Sequence, residues 1–204
     1  MATPDPLSNV MRALAGASAP SSDYDLNPDY VLPEGRKLRP AGVLVPILVT
    51  DGQPMLYLTK RSSALQHHPG QIAFPGGKRD DTDADITAAA LREAHEEIGL
   101  NPDNVEVLGV LPGHDTITSF AITPVVARVL HPFTPTPEPG EVEEVFQVPL
   151  AHVLNGAQYS VQARRWRGTL RKYHTVPYGP YYIWGATARI LFALADATGR
   201  ADEG

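Results

Sequence analysis

Apolar and polar positions alternate in blocks that predict strands with a few helices. Leu7, Val10, Met11 and Leu14 share one face of a short helix over Pro6 to Ala17. Asn-Pro, Leu-Pro and Arg-Pro steps then mark an irregular lead-in up to Pro40. Ala41 to Thr50 is rich in Val, Ile and Leu and reads as a buried strand. Asp51-Gly52 is a hairpin turn, and Met55 to Arg61 is the returning strand. A loop through His67-His68-Pro69-Gly70 leads to a short strand at Gln71 to Phe74 and a turn at Pro75-Gly76-Gly77. A helix follows from Asp83 to Ile98, stopped by Gly99.

Further strands are predicted at Val105 to Leu111, Ala121 to Leu130 and Glu144 to Val148, with a loop over Pro132 to Pro139. A helix is predicted near Leu150 to Leu154. Tyr159 to Arg165 and Thr169 to Thr175 flank a hairpin turn at Arg167-Gly168, and Tyr181 to Trp184 reads as a last strand. The Ala-rich stretch Gly185 to Ala197 closes the chain as a helix. Strands mixed with two substantial helices predict an α/β or α+β layer fold around one sheet.

The whole-chain properties narrow the function. A chain of 204 residues, 43% hydrophobic and 20% charged, suits one domain with extensions. The net charge of -6 excludes general electrostatic binding to nucleic acid or an anionic membrane. A phosphate substrate would then need local help from a metal or placed arginines. The absence of cysteine removes disulfides, thiolate catalysis and Cys-based zinc sites. No stretch reaches the roughly 18 apolar residues of a membrane span. The start lacks the basic and apolar regions of a secretion signal, so a cytoplasmic protein is expected.

Arg92-Glu93-Ala94-His95-Glu96-Glu97-Ile98-Gly99-Leu100 is the informative stretch. Helical residues three or four apart share a face, so Glu93, Glu96 and Glu97 form an acidic triangle with Arg92 on its edge. Ala90, Leu91, Ala94 and Ile98 lie on another arc that can face the core. The carboxylates repel one another, and a hard cation such as Mg²⁺ would relieve that repulsion. Taken alone, such a triplet is common on solvated helices. Phe74-Pro75-Gly76-Gly77 just before it changes the reading, because glycine exposes backbone and lets the Gly76 carbonyl approach a metal.

This arrangement resembles the Nudix box. The second half of that pattern is matched at every position by Arg92, Glu93, Ala94, Glu96, Glu97, Gly99 and Leu100, and Gly77 or Gly76 supplies the leading glycine. The first half departs: Asp83 stands where the family has Glu, and Arg92 comes one residue late. In the family that Glu is mainly structural, so its bracing role is what the departure affects. Asp83 is expected to cap the helix instead.

Leu58-Thr59-Lys60-Arg61-Ser62 and His67 to Lys78 are similar to the extra signature of coenzyme A pyrophosphatases, with Gln66 where that group carries Arg. Tyr181 to Ala188 is also similar to that subgroup, and the likeness spans Arg39 to Leu194. The resemblance implies a Nudix-type α/β/α sandwich around a mixed sheet, with residues 1–38 as a lead-in, 39–198 as the hydrolase domain and 199–204 as a tail. It implies Mg²⁺-dependent (or Mn²⁺-dependent) hydrolysis of coenzyme A or a derivative to 3′,5′-ADP and a phosphopantetheine. ADP-ribose, NADH or a dinucleotide is the alternative substrate, and a non-catalytic binding module the alternative class.

Under this reading Glu93, Glu96, Glu97 and Gly76 hold the metal, and Arg92 orients the carboxylates. Glu141, in the acidic run after the proline-rich loop, is the further catalytic candidate. Arg61, Gly76, Gly77 and Lys78 face the substrate. His67 and His68, adjacent and so on different faces, are structural or substrate-side residues. Arg164, Arg165, Arg167, Arg171 and Lys172 form a basic hairpin that is either solvated or greets the 3′-phosphate of coenzyme A. The partner expected is a nucleotide-containing small molecule, and a homodimer is left open.

Overall fold

A computed structural model describes residues 5–16, 19–30, 35–166 and 168–203. Ala17, the Leu32-Pro33 step and Arg167, all used above, lie outside the described residues.

The element order is α1 (Ser8–Ala15), β1 (Ser21–Ser22), β2 (Arg39–Thr50), β3 (Gln53–Arg61), β4 (Ile72–Ala73), β5 (Gly76–Lys78) and α2 (Ile86–Ile98). There follow β6 (Val105–Val110), β7 (His114–Asp115), β8 (Phe120–Val129), β9 (Val142–Pro149), α3 (Leu150–Leu154), β10 (Ser160–Trp166), β11 (Thr169–Thr175) and α4 (Gly185–Glu203). One mixed sheet holds the first nine strands. Its spine is β1-β7-β8-β2-β3-β4, with β5 on β2, β6 on β8 and β9 on β3. β2 and β8 run parallel from Arg39–Phe120 to Leu48–Val129, and β2 turns back antiparallel into β3. Asp51 and Gly52 both have positive φ, 51° and 76°, the backbone twist that a two-residue hairpin needs. β10 and β11 form a separate hairpin.

The strand period of two sorts the core into layers. Leu44, Leu48, Tyr57, Val125, Ala127 and Val129 face Ala90, Ala94 and Ile98 of α2. Their neighbours Val45, Ile47, Leu56, Leu58 and Val126 point the other way, onto Leu7, Val10, Leu150, Leu191 and Leu194 of the opposite layer. Helices thus cover both faces, which explains why β2 reads as an unbroken apolar run. The expected α/β/α sandwich is the fold.

Several elements differ from expectation. Met11 is exposed, and Ala13 takes its place on the buried face of α1. Leu7 and Val10 join the core, so the lead-in packs on the sheet. Gly76-Gly77 is not a turn but part of β5, paired with Val43 and Gly42 of β2. α2 starts at Ile86 because Asp85, in extended conformation, accepts the Ala88 N–H and caps it. Asp83 therefore does not cap the helix. Tyr181 to Trp184 makes only isolated bridges, Tyr178–Tyr181 and Thr175–Trp184. Pro177 and Pro180 have no amide hydrogen to extend a ladder there. α4 runs on to Glu203 through residues expected to be a tail.

Candidate active site

The site forms where α2 crosses the strand ends. A Cβ on Gly42 of β2 would lie 2.4 Å from the Ile86 carbonyl oxygen, so only glycine lets the helix seat this closely. That seating places Glu93 and Glu97 against β5. A Cβ on Gly77 would lie 2.5 Å from the Glu93 carboxyl carbon. The Gly76 N–H donates to Glu97 Oε2 at 3.0 Å.

Arg92 organises the polar face. Its Nε and Nη2 donate to Asp83 Oδ1 and Oδ2 at 2.9 and 3.0 Å, a two-pronged pair. Its Nη1 donates to Glu93 Oε1 at 3.0 Å and Glu96 Oε2 at 2.9 Å, and Nη2 also reaches the Lys78 carbonyl at 3.2 Å. Asp83 is buried and accepts the Asp80 N–H at 2.8 Å. The Arg92 hydrogen bonds, then that N–H, hold its carboxyl below its ordinary value. Asp83 thus does the bracing that its departure from the family pattern puts in question. Sequence spacing locates the residue but not its partner.

The three glutamates differ in environment. Glu96 is exposed. Glu93 is held above the ordinary carboxylate value by burial, against the pull of Arg92. Glu97 is only 5% exposed, and burial pushes it up to about 7. The Gly76 N–H and Arg61 oppose that rise, while the charges of Glu93 and Glu141 add to it. Arg61 and Glu141 therefore act electrostatically on the same carboxylate from two other segments. Lys78 brings its carbonyl to Arg92, and its residue is exposed.

Among the described residues, no group of three His, Asp or Glu side chains is placed to hold a metal ion. Arg92 draws Glu93 and Glu96 to itself while Glu97 turns inward to Gly76, so the triangle shares a helix face without converging. The donor set still fits a hard divalent cation in kind. Glu93 and Glu97 are both desolvated, and neighbouring carboxylates raise them further, Glu96 and Glu141 acting on Glu93 and Glu93 and Glu141 on Glu97, the condition such an ion relieves. Glu93 and Glu97, Glu96 once released from Arg92, and the Gly76 carbonyl are the oxygens available to it.

Gln71 and His68 are placed at this site by the fold. The Gln71 carbonyl accepts the Arg61 N–H at 2.9 Å. His68, at φ 55° on an exposed loop, is lowered from its ordinary value by partial desolvation and then by the Arg61 charge. The basic hairpin residues do not reach the glutamates in any contact described. Arg171 lies over the Tyr30 ring at 4.5 Å, and Lys172 lines a cleft with Asp23.

Residues 38–167 match the family described as the NUDIX domain. The uncharacterized Nudix hydrolase NudL of Enterobacter sp. (strain 638) is 42% identical over 183 residues, covering 84% of this chain and 95% of that protein. The protein of the same description from Cronobacter sakazakii (strain ATCC BAA-894) is 45% identical over 157 residues, covering 77% of this chain and 81% of that one. The MutT/nudix family protein from Enterococcus faecalis has a similar structure, with a TM-score of 0.54 at 16% identity, over 86% of this chain and 66% of that one. The MutT protein from Methanosarcina mazei Go1 gives a TM-score of 0.51 at 16% identity, over 84% of this chain and 97% of that one. At such identities these two likenesses concern the fold alone. No helix among the described residues is long and apolar enough to cross a membrane.

Proposed function

The chain belongs to the Nudix hydrolase family, and from that premise we propose that it hydrolyses the pyrophosphate bond of coenzyme A or a derivative, with Mg²⁺ or Mn²⁺, to 3′,5′-ADP and a 4′-phosphopantetheine. One observation supports the substrate class above others. The two segments that resemble coenzyme A pyrophosphatases form one wall of the carboxylate site. Thr59 Oγ1 donates to the Ala73 carbonyl at 3.1 Å, the Arg61 N–H to Gln71 at 2.9 Å, and the Gly76 N–H to Glu97 at 3.0 Å.

A divalent cation, when bound, supplies charge neutralisation at phosphate oxygens and eases the ionisation of water. Glu96 and Glu97 would be its principal protein ligands in this reading, with the Gly76 carbonyl, and Glu93 would complete the set where it does not take the water's proton. Arg92, anchored on Asp83, orients Glu93 and Glu96. Arg61 meets a phosphate oxygen at the strand end, and Gly77 and Lys78 are the further substrate-side residues in this reading. The oxygen of water bonds to one phosphorus, and the bridging oxygen leaves with the other phosphate. The water's proton passes to Glu93 or to Glu141, the two carboxylates whose charges act on Glu97.

The test is incubation with coenzyme A, ADP-ribose, NADH and diadenosine compounds in the presence of Mg²⁺, with products identified by mass. Release of 3′,5′-ADP from coenzyme A is expected. Cleavage of ADP-ribose with coenzyme A untouched would overturn the substrate class and leave the family standing. No cleavage of any compound with either metal would make the chain a binding module.

A further inference from the structure

A second cleft opens where the hairpin meets the start of α4. Lys172 and His174 of β11 and Arg189 of α4 line it, with Gly185, Tyr173 and Asp23. The carboxylate in its wall is already committed. Asp23 Oδ1 pairs with His114 Nε2 at 3.2 Å, and Oδ2 accepts the Ile117 N–H at 2.8 Å. Arg189 is steadied at 3.1 Å by Asp25, and His174 stacks on Phe192 with ring centres 4.7 Å apart. Lys172, His174 and the Asp25-paired Arg189 thus line one small opening. The first turn of α4 carries no acidic side chain to oppose them.

Gln71 lies between this cleft and the carboxylate site. A Cβ on Gly185 would lie 3.7 Å from Gln71 Nε2. The carbonyl of the same Gln71 holds the Arg61 N–H. Thr187 Oγ1 ties α4 to the Ile72 carbonyl at 3.0 Å, which fixes the two walls together. A substrate with its pyrophosphate beside Arg61 would have this cleft on the far side of Gln71.

We propose that the Lys172–His174–Arg189 cleft is a specificity subsite for a terminal phosphomonoester on the nucleoside half of the substrate, remote from the bond that is cleaved. This rests on the coenzyme A reading above. Coenzyme A bears such a group on its ribose, whereas 3′-dephospho-coenzyme A and ADP-ribose do not. The chemistry of the cleft matches a dianion, which accepts several charge-assisted hydrogen bonds at once.

The experiment compares kcat/KM for coenzyme A and 3′-dephospho-coenzyme A in the wild type, Lys172→Ala and Lys172→Arg. Lys172 is exposed, so its replacement leaves the core intact. The wild type should prefer coenzyme A. Lys172→Ala should lower that preference about tenfold, mainly through KM, as expected for one lost charge-assisted hydrogen bond, and Lys172→Arg should restore it. A wild type without the preference, or an alanine variant that keeps it, overturns the subsite. A wild type that cleaves neither compound sinks the coenzyme A reading by itself. The subsite is then judged by calorimetry of 3′,5′-ADP and 5′-AMP with metal-free protein. Tighter 3′,5′-ADP binding that Lys172→Ala abolishes upholds it, and equal affinities overturn it.

Discussion

Asp83 receives the Arg92 guanidinium through both carboxylate oxygens, at 2.9 and 3.0 Å, just before the helix that carries the glutamates. The pairing fixes Arg92, and Arg92 in turn holds Glu93 and Glu96. Asp83 is thus a positioning residue whose loss is felt at carboxylates it does not touch. Its lowered folded-state value also links stability to pH. A depressed carboxylate contributes stability above its unfolded value, here 3.8, and loses it as pH falls through the lower folded value. Asp83→Asn should therefore be less stable than wild type at pH 7, and the gap should close as acid protonates the wild-type carboxyl. Urea midpoints at pH 7 and across the acid range below 3.8 check this. A gap that does not change with pH would show that the charge of Asp83 is irrelevant.

Gly42 and Gly77 separate stability from activity. A Cβ at Gly42 meets the Ile86 carbonyl oxygen at 2.4 Å, and backbone there cannot step aside without lifting α2. Gly42→Ala should cost about 1–3 kcal/mol or more, as overpacking does. A Cβ at Gly77 meets only the end of the Glu93 side chain, at 2.5 Å, which can swing away. Gly77→Ala should keep the denaturation midpoint close to wild type. Its turnover should fall on the order of a hundredfold, since a displacement of about 1 Å is enough to do so. Denaturant titration and Mg²⁺-dependent assay of both variants would expose the opposite pattern.

Glu97 is the carboxylate that the fold accommodates at the greatest cost, being 5% exposed. Glu97→Gln keeps an oxygen for the Gly76 N–H and removes the buried charge. The metal-free variant should melt at a higher temperature than metal-free wild type, while turnover drops about a hundredfold or more. Near-normal hydrolysis by this variant would remove Glu97 from the mechanism.

The legible parts of the chain are those where pattern and packing agree. The run from Ala41 to Thr50, the Asp51-Gly52 turn and the Gly99 stop all act locally, through β-branched side chains or positive φ. The acidic face of α2 follows from helical period alone. The burial of Glu97 does not, because it comes from the seating of α2 on Gly42 against β5, while the Pro132–Pro139 loop folds along the helix end. There the Thr136 and Glu138 N–H groups donate to the Ile98 and Glu97 carbonyls at 3.0 and 2.9 Å. Gly76-Gly77 reads as a turn because glycine carries no side-chain pattern, and only pairing with Gly42 and Val43 makes it a strand. Gly42, a glycine inside an apolar strand, is a signal of close approach that sequence does offer.

His114 is fully buried between Ser21 Oγ, 2.9 Å from Nδ1, and Asp23 Oδ1, 3.2 Å from Nε2. These two bonds fasten the Ser21–Ser22 strand to β7, and Asp23 continues the anchor through the Ile117 N–H at 2.8 Å. His114→Ala leaves a cavity and deprives a buried hydroxyl and a carboxylate of their shared partner. The expected loss is about 2–4 kcal/mol. If the anchor acts on the segment first, protease should cut residues 19–30 in the variant under conditions where β2 to β9 remain protected. Hydrogen exchange that rises equally across the whole sheet would instead make His114 an ordinary core residue with no special hold on the N-terminal segment.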